Sequence, residues 1–314
     1  MATLVVADPL PSPVDDAQDI RKAVEGWGTD EKGVISIIGH RDAVQRKLIR
    51  LAYEELFHED LIKRLESELS GDFEKAVYRW IFDPAERDAI LAHDAIKKLV
   101  PDCRVIVEIA CTRSPAELFA ARQAYQHRYK HSLEEDVSAY SSGDIRKLLV
   151  SLVTTYRYDG DDVNARLAHN EASILRQAIE QKAYAHEEII RILSTRSTAQ
   201  LTATLNRYKD DHGSSISKEL MGEPNEEFLP LLRAAIRCFS SPYKYFEKVV
   251  RKSIKDLGTD EGALTRVIVT RAEKDLKHIK EEYYKRNSVT LKDAVARDTS
   301  GDYKNFLLTL LGEA

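Results

Sequence analysis

Two short loops carry the residues with the most specific chemistry in this chain. The first reads Gly26-Trp27-Gly28-Thr29-Asp30-Glu31, and the second reads Asp256-Leu257-Gly258-Thr259-Asp260-Glu261. A carboxylate, Glu68 or Asp298, stands 42 residues after the first position of each loop. Calcium takes about six to eight oxygen ligands and accepts backbone carbonyls as well as carboxylates. Because glycine tolerates positive φ, a glycine-rich turn can aim several carbonyls at one cation. The pattern therefore indicates two calcium loops.

A simpler interpretation is that each loop only starts a helix, with Thr29 or Asp30 as the N-cap residue in the first one. Capping explains neither the paired glycines nor the distant carboxylate. A calcium ion held by such a loop keeps coordination positions open, and a lipid phosphoryl oxygen can occupy one of them.

The loops lie inside a repeat that occurs four times. Four arginines mark corresponding positions, and a tyrosine follows each of them after 12 residues: Arg41 and Tyr53, Arg113 and Tyr125, Arg196 and Tyr208, Arg271 and Tyr283. An apolar residue follows each tyrosine after 20 residues: Phe73, Ile145, Phe228 and Tyr303. The longest connector precedes the third repeat, around the acidic, turn-rich segment 158–162. This spacing predicts two pairs of consecutive repeats joined by a linker.

Each repeat has the apolar spacing of a helix. The residues seven, four and three positions before each arginine are Val34, Ile37, Ile38; Ile106, Ile109, Ala110; Ile189, Ile192, Leu193; and Leu264, Val267, Ile268. Apolar residues at i, i+3 and i+4 mark one buried helix face, and no alternating pattern competes with it. The predicted fold class is all-α.

The composition limits the possible partners. The chain has 314 residues and a formal net charge of −5, so bulk charge does not favour nucleic acid or anionic lipid. No apolar run is long enough to span a bilayer, and residues 1–14 lack the pattern of a signal peptide. Three cysteines without a CxxC motif indicate neither a disulfide framework nor a zinc site. We therefore expect a cytoplasmic protein.

From about Asp15 onward the chain resembles the annexins, whose membrane-facing calcium site is a GxGT loop with an acidic residue about forty positions later. The Gly-Trp-Gly-Thr loop in the first repeat and its loss in the next two are similar to plant annexins. The resemblance implies four repeats of about five helices each, packed as a slightly curved disc. The implied boundaries are a tail at 1–14, repeats at 15–84 and 85–157, a linker at 158–167, and repeats at 168–240 and 241–314.

The resemblance also implies the calcium ligands. The first site takes the carbonyls of Val24, Gly26 and Gly28 with Glu68, and the fourth takes those of Ile254, Asp256 and Gly258 with Asp298. The implied secondary sites combine the Thr29 carbonyl with Glu31, and Thr259 with Glu261. The middle repeats have lost the pattern, with Lys98, Val100 and Tyr140 in the second and Gln181, Ala183 and Glu223 in the third. We predict two calcium sites, with Asp256 as the departure that puts the fourth in question.

Three residues at the loop tips are predicted to contact the membrane: Trp27, Lys182 and Leu257. An indole suits the membrane interface, although Trp27 packed against its own repeat would be inert. Lys182 is placed to contact lipid phosphate without calcium, or simply to be solvated.

The predicted function is calcium-dependent binding to acidic phospholipid membranes. We expect a non-enzymatic protein that does not bind nucleic acid, is monomeric in solution, associates on membranes and is reversibly peripheral when calcium rises.

The resemblance raises other activities, each with a simpler structural interpretation. A calcium channel would use Asp88, Glu108, Arg113 and Arg271, for which a salt-bridge network is the preferred interpretation. Peroxidase activity would use His40, and GTPase activity the DxxG motif at Asp298–Gly301, but the chain has no phosphate-binding GxxxxGK[ST] loop. Actin binding would use Ile190–Ile192, which also fits a buried helix face. Redox activity would use Cys111 and Cys238, for which burial in the core is the preferred interpretation.

Overall fold

The computed structural model describes residues 1–26, 28–221, 227–255 and 258–312. Twenty helices lie in these ranges, five in each repeat, and the described residues contain no strand. The first repeat contains α1 (Pro13–Ala23), α2 (Glu31–Ile38), α3 (Ala43–Phe57), α4 (Leu61–Glu68) and α5 (Gly71–Ile81). The second contains α6 (Pro84–Ile96), α7 (Cys103–Thr112), α8 (Pro115–Tyr129), α9 (Leu133–Ala139) and α10 (Gly143–Thr154).

The remaining ten helices repeat this order. The third repeat contains α11 (Ala165–Glu180), α12 (Glu187–Thr195), α13 (Thr198–His212), α14 (Ile216–Glu219) and α15 (Phe228–Ser240). The fourth contains α16 (Pro242–Lys255), α17 (Glu261–Arg271), α18 (Leu276–Asn287), α19 (Leu291–Asp298) and α20 (Gly301–Leu310). The all-α prediction is confirmed.

The predicted helix faces form the core. Of the twelve apolar positions before the four arginines, all are buried except Ile37, which is half-buried. The four tyrosines that follow the arginines, at positions 53, 125, 208 and 283, are at most 2% exposed. The repeat pattern therefore marks the residues that each repeat buries.

The chain forms two compact units, and their composition corrects the predicted pairing of consecutive repeats. One unit comprises Met1–Arg87 and Phe246–Ala314, and the other comprises Asp88–Tyr245. The first repeat thus packs with the fourth, through α5 with α17 and α20, and the second packs with the third, through α7 with α15. The length of the connectors did not predict the pairing of the repeats. Closing a longer loop costs little additional entropy, so loop length does not decide which helix faces meet.

Ion pairs with a buried carboxylate explain three of the four repeated arginines. In three repeats the arginine bonds a carboxylate 25 residues earlier, at 2.5–2.8 Å: Asp16 with Arg41, Asp88 with Arg113, and Glu171 with Arg196. In the fourth repeat Phe246 takes the acidic position, and its ring centroid lies 4.7 Å from the Arg271 guanidinium carbon. Arg271 pairs there with Asp275 instead. The salt-bridge interpretation of these arginines is confirmed.

Candidate functional site: two loops that present oxygen atoms

The first loop joins α1 to α2 and, as the simpler interpretation expects, ends on the residue that caps α2. Its ends are held by the Asp30 N–H, which donates to the Ala23 carbonyl at 2.8 Å. The Asp30 carboxylate accepts from the Gly33 N–H at 2.9 Å, so Asp30 is the N-cap of α2. Between these points Gly26 and Gly28 adopt φ of +111° and +89°. Only glycine adopts such angles readily, so the two glycines are required by the loop conformation.

Glu68 is brought to this loop by the end of α4. The Thr29 hydroxyl lies 3.3 Å from both the carbonyl and the Oε2 atom of Glu68. The last residue of α4 is therefore tied to the loop that precedes α2, as the predicted calcium site requires.

Arg64 already brings two of the predicted ligands together. Its Nη2 atom donates to the Val24 carbonyl at 2.6 Å and lies 3.1 Å from Oε1 of Glu68. The side chains of Arg64 and Glu68 are 24% and 23% exposed. Because one nitrogen contacts both oxygens, the carbonyl and the carboxylate converge on a single positive charge.

The fourth repeat builds its loop in the same way. Gly258 has φ of +96°, and the Asp260 N–H donates to the Ser253 carbonyl at 2.8 Å. The Thr259 hydroxyl donates to the Asp298 carbonyl at 3.1 Å. The position equivalent to Arg64 is Ala294, which is buried. The predicted residues Asp256, Leu257 and Trp27 lie outside the described residues.

The carboxylates of the two loops share one cavity. This cavity, of about 350 Å³, lies within the unit formed by the first and fourth repeats. It is lined by six carboxylates: Glu31, Glu68, Asp72, Glu261, Asp298 and Asp302. The Oδ2 atom of Asp298 is buried and has no hydrogen-bond partner among the described residues. Such a concentration of negative charge attracts cations.

The donor atoms fit calcium. Among the described residues, no group of three or more His, Cys, Asp or Glu side chains could hold a metal ion. The predicted sites instead rely on backbone carbonyls with one carboxylate each, which suits a hard cation with oxygen ligands. In the first loop, the convergence of Val24 and Glu68 on the Arg64 guanidinium shows that these oxygens accept a cation.

A model of the annexin family matches four segments of the chain, residues 15–80, 87–152, 170–234 and 245–310. The chain belongs to the annexin family. Annexin-like protein RJ4 from Fragaria ananassa is 65% identical over 313 residues, which cover 100% of this chain and 99% of that protein. The resemblance to plant annexins is therefore confirmed.

Solved annexin structures share the fold. The structure of annexin III matches with a TM-score of 0.91 at 34% identity, covering 99% of this chain and 97% of that one. A calcium-bound structure of annexin (Sm)1 matches with a TM-score of 0.88 at 29% identity, covering 100% and 93%. These findings confirm Ca²⁺ as the metal and support a calcium-dependent membrane-binding annexin. Annexins are generally not classical enzymes.

The second repeat of this annexin keeps the loop closure but has other residues at the positions of the predicted ligands. The Asp102 N–H donates to the Ala95 carbonyl at 2.9 Å, as in the first and fourth loops. Tyr140 stands where the first repeat has Glu68, and the Lys97 ammonium lies 4.0 Å from its ring centroid. Lys97 also lies 3.5 Å from Oδ1 of Asp136. A lysine ammonium therefore lies beside the residue that replaces Glu68 in this repeat.

The third repeat of this annexin closes its loop differently. The Ala183 N–H, two residues earlier than the equivalent of Asp30, donates to the Ala178 carbonyl at 2.9 Å. Lys182 lies at the tip, exposed and with φ of +55°. Glu223, the predicted acidic residue without a loop, lies outside the described residues.

The residues considered for other activities take structural roles. Glu108 is buried and accepts from the Tyr245 hydroxyl at 2.9 Å. His40 lies 2.8 Å from the Val5 carbonyl through Nδ1. Ile190 and Ile192 are buried on α12, and burial raises the pKa of Cys111 to about 12. No helix of the described residues is long and apolar enough to cross a membrane.

Sequence reasoning overlooked Arg64 and two of the carboxylates that pair with the repeated arginines, Asp16 and Glu171. Arg64 and Glu68 form an i,i+4 pair on α4, a spacing that predicts contact on a helix surface. The carboxylates recur at a constant offset of 25 residues in three repeats, so extending the repeat comparison further upstream would have found them.

Proposed function

We propose that this annexin binds acidic phospholipid membranes through two calcium sites, one in the loop of the first repeat and one in that of the fourth. The first site uses the carbonyls of Val24, Gly26 and Gly28 with Glu68, and the fourth uses those of Ile254, Asp256 and Gly258 with Asp298. Secondary sites combine Thr29 with Glu31 and Thr259 with Glu261. Trp27, Lys182 and Leu257 contact the bilayer at the loop tips.

The proposal rests on one recurring arrangement. In both repeats a threonine hydroxyl, that of Thr29 or Thr259, bonds the end of the helix that carries the predicted carboxylate. The adjoining glycines have positive φ, a conformation that a loop presenting several backbone carbonyls to one cation would need. When bound, calcium supplies positive charge and open coordination positions for a lipid phosphoryl oxygen.

The charge of the protein explains why the ion is needed. The net charge of −5 and the six carboxylates of the shared cavity oppose an acidic membrane. Neutralising that cavity removes the repulsion, so attachment follows the calcium concentration. We infer a cytoplasmic monomer that becomes reversibly peripheral to membranes when calcium rises.

Sedimentation with vesicles of phosphatidylserine and phosphatidylcholine tests the proposal. The wild-type protein should bind strongly with calcium and much less with chelator. Glu68→Gln and Asp298→Asn should each raise the calcium needed for binding by about tenfold, because calcium affinity depends on ligand charge. The double variant should lose the calcium-dependent fraction.

Glu66→Gln is the matched control, because Glu66 is exposed on the same helix as Glu68. It makes the same chemical change away from the loop and should leave the calcium dependence unaltered. Full calcium-dependent binding by the double variant would show that these loops are not the sites.

A further inference from the structure

One helix of the first repeat, α3, presents a stripe of aliphatic side chains to solvent. Val44, Leu48 and Leu51 are 68%, 45% and 54% exposed. Their spacing of four and then three residues places them along one line on the helix surface. The face that α3 buries in its own repeat carries other residues, among them Ile49 and Tyr53. The helix therefore has an apolar face on each side, and the described residues cover only one of them.

The other three repeats do not have this stripe. Its positions lie three, seven and ten residues after the arginine that marks each repeat. They are occupied by Ala116, Ala120 and Gln123 in the second repeat, by Ala199, Ala203 and Asn206 in the third, and by Lys274, His278 and Glu281 in the fourth. The fold of the repeat thus does not require large aliphatic residues there. Because adjacent exposed aliphatic residues are typical of an interaction surface, the outer face of α3 is a candidate contact with another protein.

Two charged residues border the stripe on one flank. Lys47 and Glu54 are exposed on α3, and neither side chain has an ion-pair partner among the described residues. They are seven residues apart, which is almost two full turns, so they lie on the same flank of the helix. This flank is therefore basic near the start of the stripe and acidic beyond its end.

This arrangement of charge is complementary to itself. When two copies of α3 run antiparallel about a twofold axis, each stripe faces the other, with Leu48 of one copy against Leu51 of the other. The reversed direction also brings Lys47 of each copy to Glu54 of the other, whereas a parallel arrangement sets like charges against each other. A second copy of the chain thus matches both the apolar stripe and the two charges beside it.

We propose that α3 is the contact through which two copies of this annexin form a symmetric antiparallel dimer. Leu48 and Leu51 fill its centre, Val44 lies toward each end, and two pairs of Lys47 with Glu54 flank it. Stable interfaces use about 20–30 residues from each partner and this surface offers far fewer, so we expect a dissociation constant on the order of 100 µM. At lower concentration the protein is the monomer inferred above.

Sedimentation equilibrium of the full chain, in chelator and without lipid, measures this association independently of the proposed calcium sites. Leu51→Ser should weaken dimerisation about tenfold, because the symmetric contact loses that side chain twice. Leu56→Ser is the matched control, because Leu56 is also on α3 and is 41% exposed. Its position lies about 100° around the helix from the stripe, so this variant should dimerise as the wild type does.

Charge reversal tests the antiparallel direction. Lys47→Glu and Glu54→Lys each replace two attractive pairs by two repulsive ones, so each single variant should dimerise about tenfold more weakly than the wild type. An equal mixture of the two single variants restores opposite charges across the contact and should associate as the wild type does. The variant that carries both changes should do the same.

Three results would overturn the proposal: a wild type that stays monomeric well above about 100 µM, dimerisation of Leu51→Ser as strong as that of the wild type, or an equal loss in Leu56→Ser. Single charge variants that associate like the wild type would exclude the antiparallel pairing. Neither calcium nor lipid is present in these measurements. Failure of the proposed membrane binding would therefore leave their outcome unchanged, and the two failures are distinguishable.

Discussion

Removing the Arg64 side chain should strengthen calcium binding at the first loop. Arg64 donates to the Val24 carbonyl at 2.6 Å and pairs with Glu68 at 3.1 Å, and both acceptors are predicted calcium ligands. Calcium binding there must release both contacts. Arg64→Ala removes the competing cation while the Thr29 hydroxyl still holds Glu68.

The size of the effect follows from the two contacts. A hydrogen bond from a charged group contributes about 1.5–3 kcal/mol, and a partly exposed i,i+4 ion pair contributes about 0.3–0.5 kcal/mol. Because the two side chains are 24% and 23% exposed, water replaces part of what is lost, and the lower end of the range applies. A net competition of about 1.5–2 kcal/mol corresponds to calcium affinity roughly 10- to 30-fold higher in the variant.

Calorimetric titration with calcium measures this change. The titration is made in an Asp298→Asn background, so that the first site dominates the signal. Lys63→Ala is the matched control, because Lys63 is exposed on the same helix and its removal changes the net charge equally. Affinity within twofold of the parent, or an equal gain in the Lys63 variant, would refute direct competition by Arg64.

Three further results are expected. Gly28→Ala should weaken calcium binding at the first site about tenfold in the same titration, because alanine at φ of +89° is strained by roughly 1–2 kcal/mol; unchanged affinity would contradict this. Asp16→Asn should lower the free energy of unfolding in urea by about 3–5 kcal/mol, because it leaves Arg41 buried without its charged partner; a loss as small as that of the exposed Asp19→Asn would argue against a buried pair. The Cys111 thiol should resist thiol reagents in the folded protein at pH 9, because burial raises its pKa from 9.0 to about 12. The stability that the neutral thiol contributes is complete below pH 9 and is lost as the pH rises toward 12. Rapid labelling of Cys111 at pH 9 would contradict this prediction.

The features that could be predicted from the sequence are those whose residues recur at a fixed spacing. The helix faces followed from apolar residues at a period of 3.6, and burial of positions such as Val34 and Leu264 confirms them. The loops were found because glycines and carboxylates recur at fixed offsets. Gly26 and Gly28 have positive φ, the conformation for which the sequence analysis expected the loop to need glycine.

The features missed depend on contacts between distant elements or on the reach of a single side chain. Connector lengths carry no information about which helix faces fit together, so the pairing of α5 with α17 was not predictable from them. Arg64 reaches the Val24 carbonyl only because the end of α4 lies against the first loop. Its i,i+4 spacing to Glu68 signalled the ion pair but not the competition for a carbonyl.

The discontinuous unit has a consequence for synthesis of the chain. The first repeat packs with the fourth, so the nascent first repeat must wait until the whole segment Asp88–Tyr245 has left the ribosome. At about 5–20 residues per second this delay lasts roughly 8–30 s, during which the apolar face that α5 turns to α17 and α20 is unpaired. The second and third repeats are consecutive and can pack first, so the folding order differs from the order of translation.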